Sequence, residues 1–351
     1  MNIFTAHSPY IIAGPCGIES ENQLDSIAKS IQTMPVQMLR GGVWKPRSKP
    51  GYFEGLGEPA LALLQKMKTK YGIKVCTEVA NKEQVARALH YQLDAVWIGA
   101  RTTVNPFLVQ EIADALQGEY IAVLIKNPIN PDVELWSGAI ERILKAGIQS
   151  VAAIHRGFSS YDTHSKYRNK PNWAIPIEIK RRYKDIPMLC DISHICGNRT
   201  LLAEVAQKAL DLDFDGLMIE THPSPDDALS DAKQQITPDA LHTLLQNLHI
   251  RQSSCHNAQN EIEEIRQIID TMDAEIVDLL GKRMERVKDL GEIKKENNMA
   301  IFQQERWREI VESRTKWGKN NELNQQFILK LFELIHDQSI HTQLDWINYK
   351  K

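Results

Sequence analysis

The sequence predicts an α/β protein: a (β/α)8 TIM barrel over residues 1–250, a linker at 251–260, and an all-α three-helix domain at 261–351. Three observations predict it. The first two-thirds alternates short β-branched apolar runs with longer stretches of helical period, the pattern of parallel strands joined by helices. The apolar runs number eight over about 240 residues, the usual size of such a barrel. From Ile250 onward the strand pattern stops and apolar residues recur only at three- and four-residue spacing.

Strands are expected at 10–13, 37–39, 73–76, 95–98, 121–125, 150–154, 188–190 and 216–219, each a compact apolar run. Between them, amphipathic segments at 22–32, 58–70, 82–91, 106–116, 138–145 and 200–210 are expected as helices. A doubly wound open sheet is the alternative that this alternation permits. The stretch RQSSCHNAQN is polar and aperiodic, which makes it the linker. Beyond it, Ile262, Ile265, Ile269, Met272, Ile276, Leu279, Met284, Val287, Leu290 and Ile293 keep the helical period, so one long helix is expected there. Helices at 304–316 and 322–347 follow. A helix this long needs partners, which predicts a bundle completed by a second copy of the chain.

Composition narrows the functional classes. The chain has 351 residues, 42% hydrophobic and 25% charged, with a formal charge of -3, which argues against a nucleic-acid or anionic-membrane role. No apolar stretch approaches the length that spans a bilayer. The opening MNIFTAHSPY lacks the basic-then-apolar pattern of a secretory signal, and a cytoplasmic location is expected. The five cysteines, Cys16, Cys76, Cys190, Cys196 and Cys255, are scattered and odd in number, as suits a reducing compartment.

In a barrel, the residues just after each strand build one mouth. In order these are Cys16; Arg40 with Lys45 and Arg47; Thr77 and Glu78; Arg101; Lys126; His155 and Arg156; Asp191 with His194; and Glu220 with His222. Arg40, Lys45, Arg47, Arg101, Lys126 and Arg156 put six cations around that mouth. Their mutual repulsion predicts substrates with several negative charges, gripped by arginine through paired N–H donors. Cys16, His194, Glu220 and Asp231 form a mixed soft and hard set that suits a divalent transition metal, Mn, Fe, Co or Zn. Each has an ordinary alternative: a buried thiol, a helix cap, a surface ion pair. Spacing alone leaves the metal open.

The segments AGPCGIES, LRGGVWKPRS, TEV, IGAR, HRG, DISH and IETHPSPDDALSDAKQ, with the IK that ends at Lys126, occur in this order. Across nearly all of residues 10–236 the chain resembles the 3-deoxy-D-arabino-heptulosonate 7-phosphate synthases of compact bacterial type. The resemblance implies metal-dependent condensation of phosphoenolpyruvate with erythrose 4-phosphate. It implies Cys16, His194, Glu220 and Asp231 as metal ligands, and Arg40, Lys45, Arg101, Lys126 and Arg156 around phosphoenolpyruvate. Arg47 and Ser48 match the grip on the sugar phosphate, with Asp191 near its hydroxyls. Lys45, Glu78 and His222 are the candidates for proton transfer or water positioning. The octulosonate 8-phosphate synthases share the barrel but carry alanine-asparagine after the lysine. Here Lys45-Pro46-Arg47-Ser48 favours the four-carbon sugar, with another sugar phosphate as the alternative. Thr102-Thr103-Val104, Asn127-Pro128 and the loop 157–173 depart from the family pattern.

The tail carries a second set of cations, Arg266, Arg283, Lys294 and Arg306, for which a solvated helix face is the ordinary reading. At 1.5 Å per residue, Arg266 and Arg283 stand about 26 Å apart on one helix, so a single chain does not close both on one small ligand. The segments IRQIIDTMDAEIVDLLGKRMERVKDLGEIKKE, QQERW and LFELIHDQSIHTQ resemble the all-α chorismate mutases. That resemblance implies conversion of chorismate to prephenate by Arg283, Lys294, Arg306, Ser339 and Gln343, with Arg266 from a partner chain. Lys294 and Gln343 would stabilise the breaking ether oxygen. Gln303 and Trp307 stand where the family often has aspartate and a glutamate that contacts the substrate hydroxyl. A bifunctional shikimate-pathway enzyme, at least a homodimer, is therefore expected. The alternative is a tail that chiefly binds chorismate or prephenate, dimerises the chain and restrains the barrel allosterically.

Overall fold

The computed structural model describes residues 2–5, 9–45, 51–160, 165–251 and 259–349. Arg47 and Ser48 of the expected sugar-phosphate motif, and residues 252–258 of the expected linker, lie outside them. The chain divides into two compact units, 1–253 and 254–351.

In the first unit, β1 (Tyr10–Gly14), β2 (Met38–Arg40), β3 (Lys74–Val79), β4 (Ala95–Ile98), β5 (Ala122–Lys126), β6 (Val151–His155), β7 (Met188–Asp191) and β8 (Gly216–Glu220) run in sequence order. All neighbours pair in parallel and β8 closes onto β1. The helices are α1 (Glu21–Ile31), α2 (Glu58–Tyr71), α3 (Lys82–His90), α4 (Ala100–Thr103), α5 (Pro106–Leu116), α6 (Val133–Lys145), α7 (Ala174–Arg182), α8 (Ile192–Cys196), α9 (Leu202–Asp211) and α10 (Pro238–Gln246). The barrel expectation therefore stands against the open sheet. Ser20, Asn81, Asn105, Asp132 and Thr237 each cap a helix by accepting from a backbone N–H two or three residues on.

Strand period explains the two cores. Tyr10, Ile12, Met38, Cys76, Ala95, Trp97, Ala122, Leu124, Ala152, Ile154, Leu189 and Met218 point into the barrel, where Phe4 meets Tyr10 edge to face. The alternate residues, such as Ile11, Leu39, Val75, Val96, Val123 and Leu217, pack against the helices. Helix α7 was not expected from the sequence. Pro176 breaks the pattern on paper, but it sits in the first turn, where its missing N–H costs no bond. Helix α6 starts before the expected 138 because Gly138 lies inside it and not at its end.

Among its described residues the second unit carries three helices and no strand: α11 (Gln259–Glu296), α12 (Gln304–Asn320) and α13 (Gln325–Tyr349). Helix α13 packs against both α11 and α12. No helix among the described residues is long and apolar enough to cross a membrane.

Candidate active sites

The barrel's apolar layers end one step below the mouth, and on six of the eight strands the next inward-pointing residue carries a charge. Met38 is followed inward by Arg40, Cys76 by Glu78, Leu124 by Lys126, Ile154 by Arg156, Leu189 by Asp191 and Met218 by Glu220. On β4 that position is Gly99. A Cβ there would stand 2.1 Å from Glu78 Oε1, so glycine leaves the room that the carboxylate occupies. Trp97 below it donates from Nε1 to Glu78 Oε2 at 2.9 Å, and its ring carries the Arg40 guanidinium at 4.9 Å and Lys126 Nζ at 5.5 Å.

Three of the four expected metal ligands converge: Cys16, Glu220 and Asp231 hold their donor atoms within 4.8 Å of one another. Cys16 Sγ lies 3.4 Å from Asp231 Oδ2. His194 stands beside this group and not inside it, with Nδ1 3.8 Å from Glu220 Oε1 and 2.9 Å from Asp191 Oδ2. Glu220 is fully buried; Gln234 donates to its Oε2 at 2.6 Å, and Arg40 approaches its Oε1 at 3.2 Å. Glu220 Oε1 and His194 Nδ1 are thus both buried and held by charged neighbours, Arg40 and Asp191, at the edge of the three-ligand cluster. A thiol and two carboxylates at this spacing, with an imidazole beside them, fit a divalent transition metal.

Burial, reinforced by Glu220, pushes the Cys16 thiol up to about 12. Burial also works against charge on Glu220 and Asp191, yet neighbouring His194 and the cations beyond it hold both carboxyls below their usual range. Lys45 donates to Cys16 Sγ at 2.7 Å and to Cys16 O at 3.1 Å. Burial opposes its charge, but Cys16 and Glu220 outweigh that and keep its ammonium firmly protonated.

A cavity of about 520 Å³ opens above, lined by Lys45, Glu78, Arg101, Lys126, Arg156, Arg168, Asn169, His194 and Asp231, among others. Four expected cations and two expected metal ligands therefore face one space. Arg40 lies beneath it, 1% exposed. Lys126 is held by Asp191 at 2.7 Å, and burial lowers Arg156 to about 10. His222 turns away, its Nε2 3.3 Å from Glu19 Oε2, and is not among the lining residues.

Sequence reasoning missed Arg168 and Asn169, inside the loop it set aside as diverged. Arg168 Nη1 donates to Asp231 Oδ1 at 3.0 Å and to Gln234 Oε1 at 2.7 Å. Asn169 accepts from Arg156 Nη1 at 2.8 Å and donates to His194 O at 2.6 Å. This dipeptide ties Asp231 and His194, two expected metal ligands, to the cavity-lining Arg156. Gly157 and Gly197, both at positive φ, back directly onto it: a Cβ on Gly197 would lie 2.4 Å from Arg168 Cβ. The two glycines were the available signal.

In the second unit, Arg283 Nη1 donates to Ser339 Oγ at 2.6 Å, and Gln343 Nε2 donates to Ser339 O at 3.1 Å. Lys294 is 6% exposed with Nζ donating to Ile301 O at 2.6 Å. Gly291 lets α13 close on α11, because a Cβ would lie 3.2 Å from Gln343 Cγ. Arg283, Ser339 and Gln343 thus meet between α11 and α13, with Lys294 buried further along α11. Burial lowers the pKa of both Arg283 and Lys294. Arg266 and Arg306 are exposed and paired with Glu263 and Glu309 on their own helices. Trp307, noted from the sequence as a departure from the family pattern, stacks on His336 at 4.4 Å and 25°.

Two family models match: the DAHP synthetase I family over residues 5–255 and chorismate mutase type II over 265–344. The phospho-2-dehydro-3-deoxyheptonate aldolase of Thermotoga maritima is 32% identical over 239 residues, 68% of each chain. The 2-dehydro-3-deoxyphosphooctonate aldolase of Bartonella quintana is 27% identical over 266 residues, 70% of this chain and 91% of that one. Among solved structures, the Thermotoga maritima aldolase (a DAHP synthase) superposes with a TM-score of 0.62 at 29% identity, covering 75% of this chain and 70% of that one.

Proposed function

The chain belongs to the DAHP synthetase I family, and from that premise we propose that its barrel condenses phosphoenolpyruvate with erythrose 4-phosphate. With a chorismate mutase type II segment in the same chain, it is a shikimate-pathway enzyme with transferase and isomerase activities. The carrying observation is the convergence of Cys16, Glu220 and Asp231 beneath a cavity ringed by Lys45, Arg101, Lys126 and Arg156. Cys16, Glu220, Asp231 and the adjacent His194 would hold a divalent metal. When bound, it supplies a Lewis acid for the aldehyde carbonyl of the sugar phosphate. Lys126, Arg156, Arg101 and Lys45 hold the carboxylate and phosphate of phosphoenolpyruvate in line with that aldehyde. Arg40 supports them from the floor through Trp97 and Glu220. Glu78, fixed by Trp97, is the lining carboxylate placed to move a proton or orient the attacking water.

In the tail, Arg283, Lys294, Ser339 and Gln343 hold chorismate and stabilise charge on the breaking ether oxygen as prephenate forms. Arg266, exposed in one chain, comes from the partner of a homodimer. Support comes from the apolar side chains that α11 leaves exposed over the same stretch: Ile265, Ile269, Met272, Ile276 and Leu279. Trp307 favours a second reading, a tail that binds chorismate or prephenate and restrains the barrel without turning it over.

The test is phosphoenolpyruvate consumption by metal-stripped protein, offered erythrose 4-phosphate or arabinose 5-phosphate, with and without Mn²⁺. Metal-dependent turnover with the four-carbon sugar is expected, together with loss of both metal retention and turnover in Cys16→Ala. Turnover without metal, or with arabinose 5-phosphate alone, would falsify the barrel assignment. Chorismate binding without conversion selects the second reading of the tail.

A further inference from the structure

The site between α11 and α13 holds a polar group that the functional reading does not use. His336, Ser339 and Gln343 stand at i, i+3 and i+7 on α13, and so share one face of the helix. Ser339 and Gln343 already face Arg283 and the α11 backbone at Gly291. His336 is the third residue on that face.

Its ring is held rather than loose. Trp307 of α12 stacks on it at 4.4 Å and 25°, and Phe302 meets it at 6.0 Å and 64°. Its Nε2 is buried yet has no hydrogen-bond partner among the described residues, and the same is true of Gln343 Oε1. Two orphaned polar atoms on one helix face, beside two cations, describe a place for a polar ligand.

The donor and acceptor balance says what His336 contributes. Arg283 and Lys294 only donate, so they serve the carboxylates of a ligand. A ligand hydroxyl needs an acceptor, and the carboxylate that acts on His336 is Asp337, its exposed chain neighbour. A neutral imidazole has one accepting nitrogen. Burial, then Arg283 and Lys294 from α11, favour the neutral ring; Asp337 on α13 opposes them, and α12 presents the uncharged ring of Trp307.

We propose that His336, held flat against Trp307, is a ligand-contacting residue of this site and accepts a hydrogen bond from the hydroxyl of a bound hydroxy-dicarboxylate. The inference rests on the mutase reading of the tail and deepens it. Trp307 is then a positioning residue: it contributes no hydrogen bond and fixes the imidazole that does.

The test uses full-length protein and chorismate, with kcat/KM measured from about pH 5 to pH 9 for wild type, His336→Leu and His336→Gln. Wild type is expected to lose kcat/KM on the acid side as the accepting nitrogen protonates. His336→Leu falls about tenfold or more across the range, the scale of one lost hydrogen bond to a ligand. His336→Gln keeps an acceptor that does not titrate, so it recovers part of that loss and shows no acid limb. A general packing role would predict similar losses in both variants with the pH profile unmoved. An acid limb that persists in His336→Gln, or His336→Leu within twofold of wild type, overturns the inference while leaving the mutase reading intact. If chorismate is bound but not converted, the same comparison is read as Kd against pH. A wild-type chain that neither converts nor binds chorismate overturns the mutase reading and this inference with it.

Discussion

At the scale of single residues, neighbouring side chains on one strand meet opposite fates. His155 and Arg156 are adjacent, yet only Arg156 faces the cavity. His155 points outward into a box of Trp136, Phe158, Trp173 and Phe214, with ring centroids 5.3 to 6.5 Å away. Burial, then Arg156, lowers its pKa to about 3. The folded barrel therefore refuses a proton that the unfolded chain accepts near pH 6.5. Stability from this group is fully present above that pH and is lost as pH falls toward 3. Replacing His155 with Phe is expected to flatten the acid-side decline of the denaturation midpoint by about one proton's worth of slope. Urea melts of both proteins at stepped pH measure it, and parallel declines would show that the ring is already charged in the fold. The sequence placed His155 and Arg156 together at the mouth. Strand alternation, once the register is known, is what separates them.

Whole elements explain more of what was legible. All eight strands were readable because each is a short apolar run bounded by polar residues. Their ends were readable because cations and carboxylates accumulate there. Helix α7 and the Arg168–Asn169 loop were not. A proline in a first turn hides a helix from periodicity, and a loop's role depends on where its ends are carried in space. Gly99 belongs to the same scale, since it ends β4 so that Glu78 of β3 has room. Gly99→Ala would drive a methyl into Glu78 Oε1, the free end of a flexible side chain that yields easily. We expect a stability change within about 1 kcal/mol, because the strained atom can move. Condensation is expected to fall at least about tenfold, because the carboxylate leaves Trp97 Nε1. Thermal melting and initial rates separate the two effects. A variant as active as wild type would remove Glu78 from the site.

At the scale of the molecule, the helical tail leaves an apolar face open. Helix α11 exposes Ile265, Ile268, Ile269, Met272, Ile276, Val277 and Leu279 along its first half, which no water-facing helix of a finished bundle would do. Among the described residues, Arg266 pairs with Glu263, far along the helix from Arg283. If two chains exchange these halves, each mutase site takes Arg283 from one chain and Arg266 from the other. This division of labour makes a quantitative prediction. Arg266→Ala and Arg283→Ala homodimers each lack an arginine in both sites and should be nearly inactive. A heterodimer of the two carries one site with both arginines and one with neither. Random pairing on co-expression makes half the dimers mixed, so the mixture should regain about a quarter of wild-type mutase activity. Separating differently tagged subunits raises that to about half in the purified heterodimer. Recovery at those levels requires a site built across the two chains. If the mixture stays as inactive as its parents while sedimentation shows mixed dimers, each chain builds its own site, and Arg266 belongs to the solvated face of its helix.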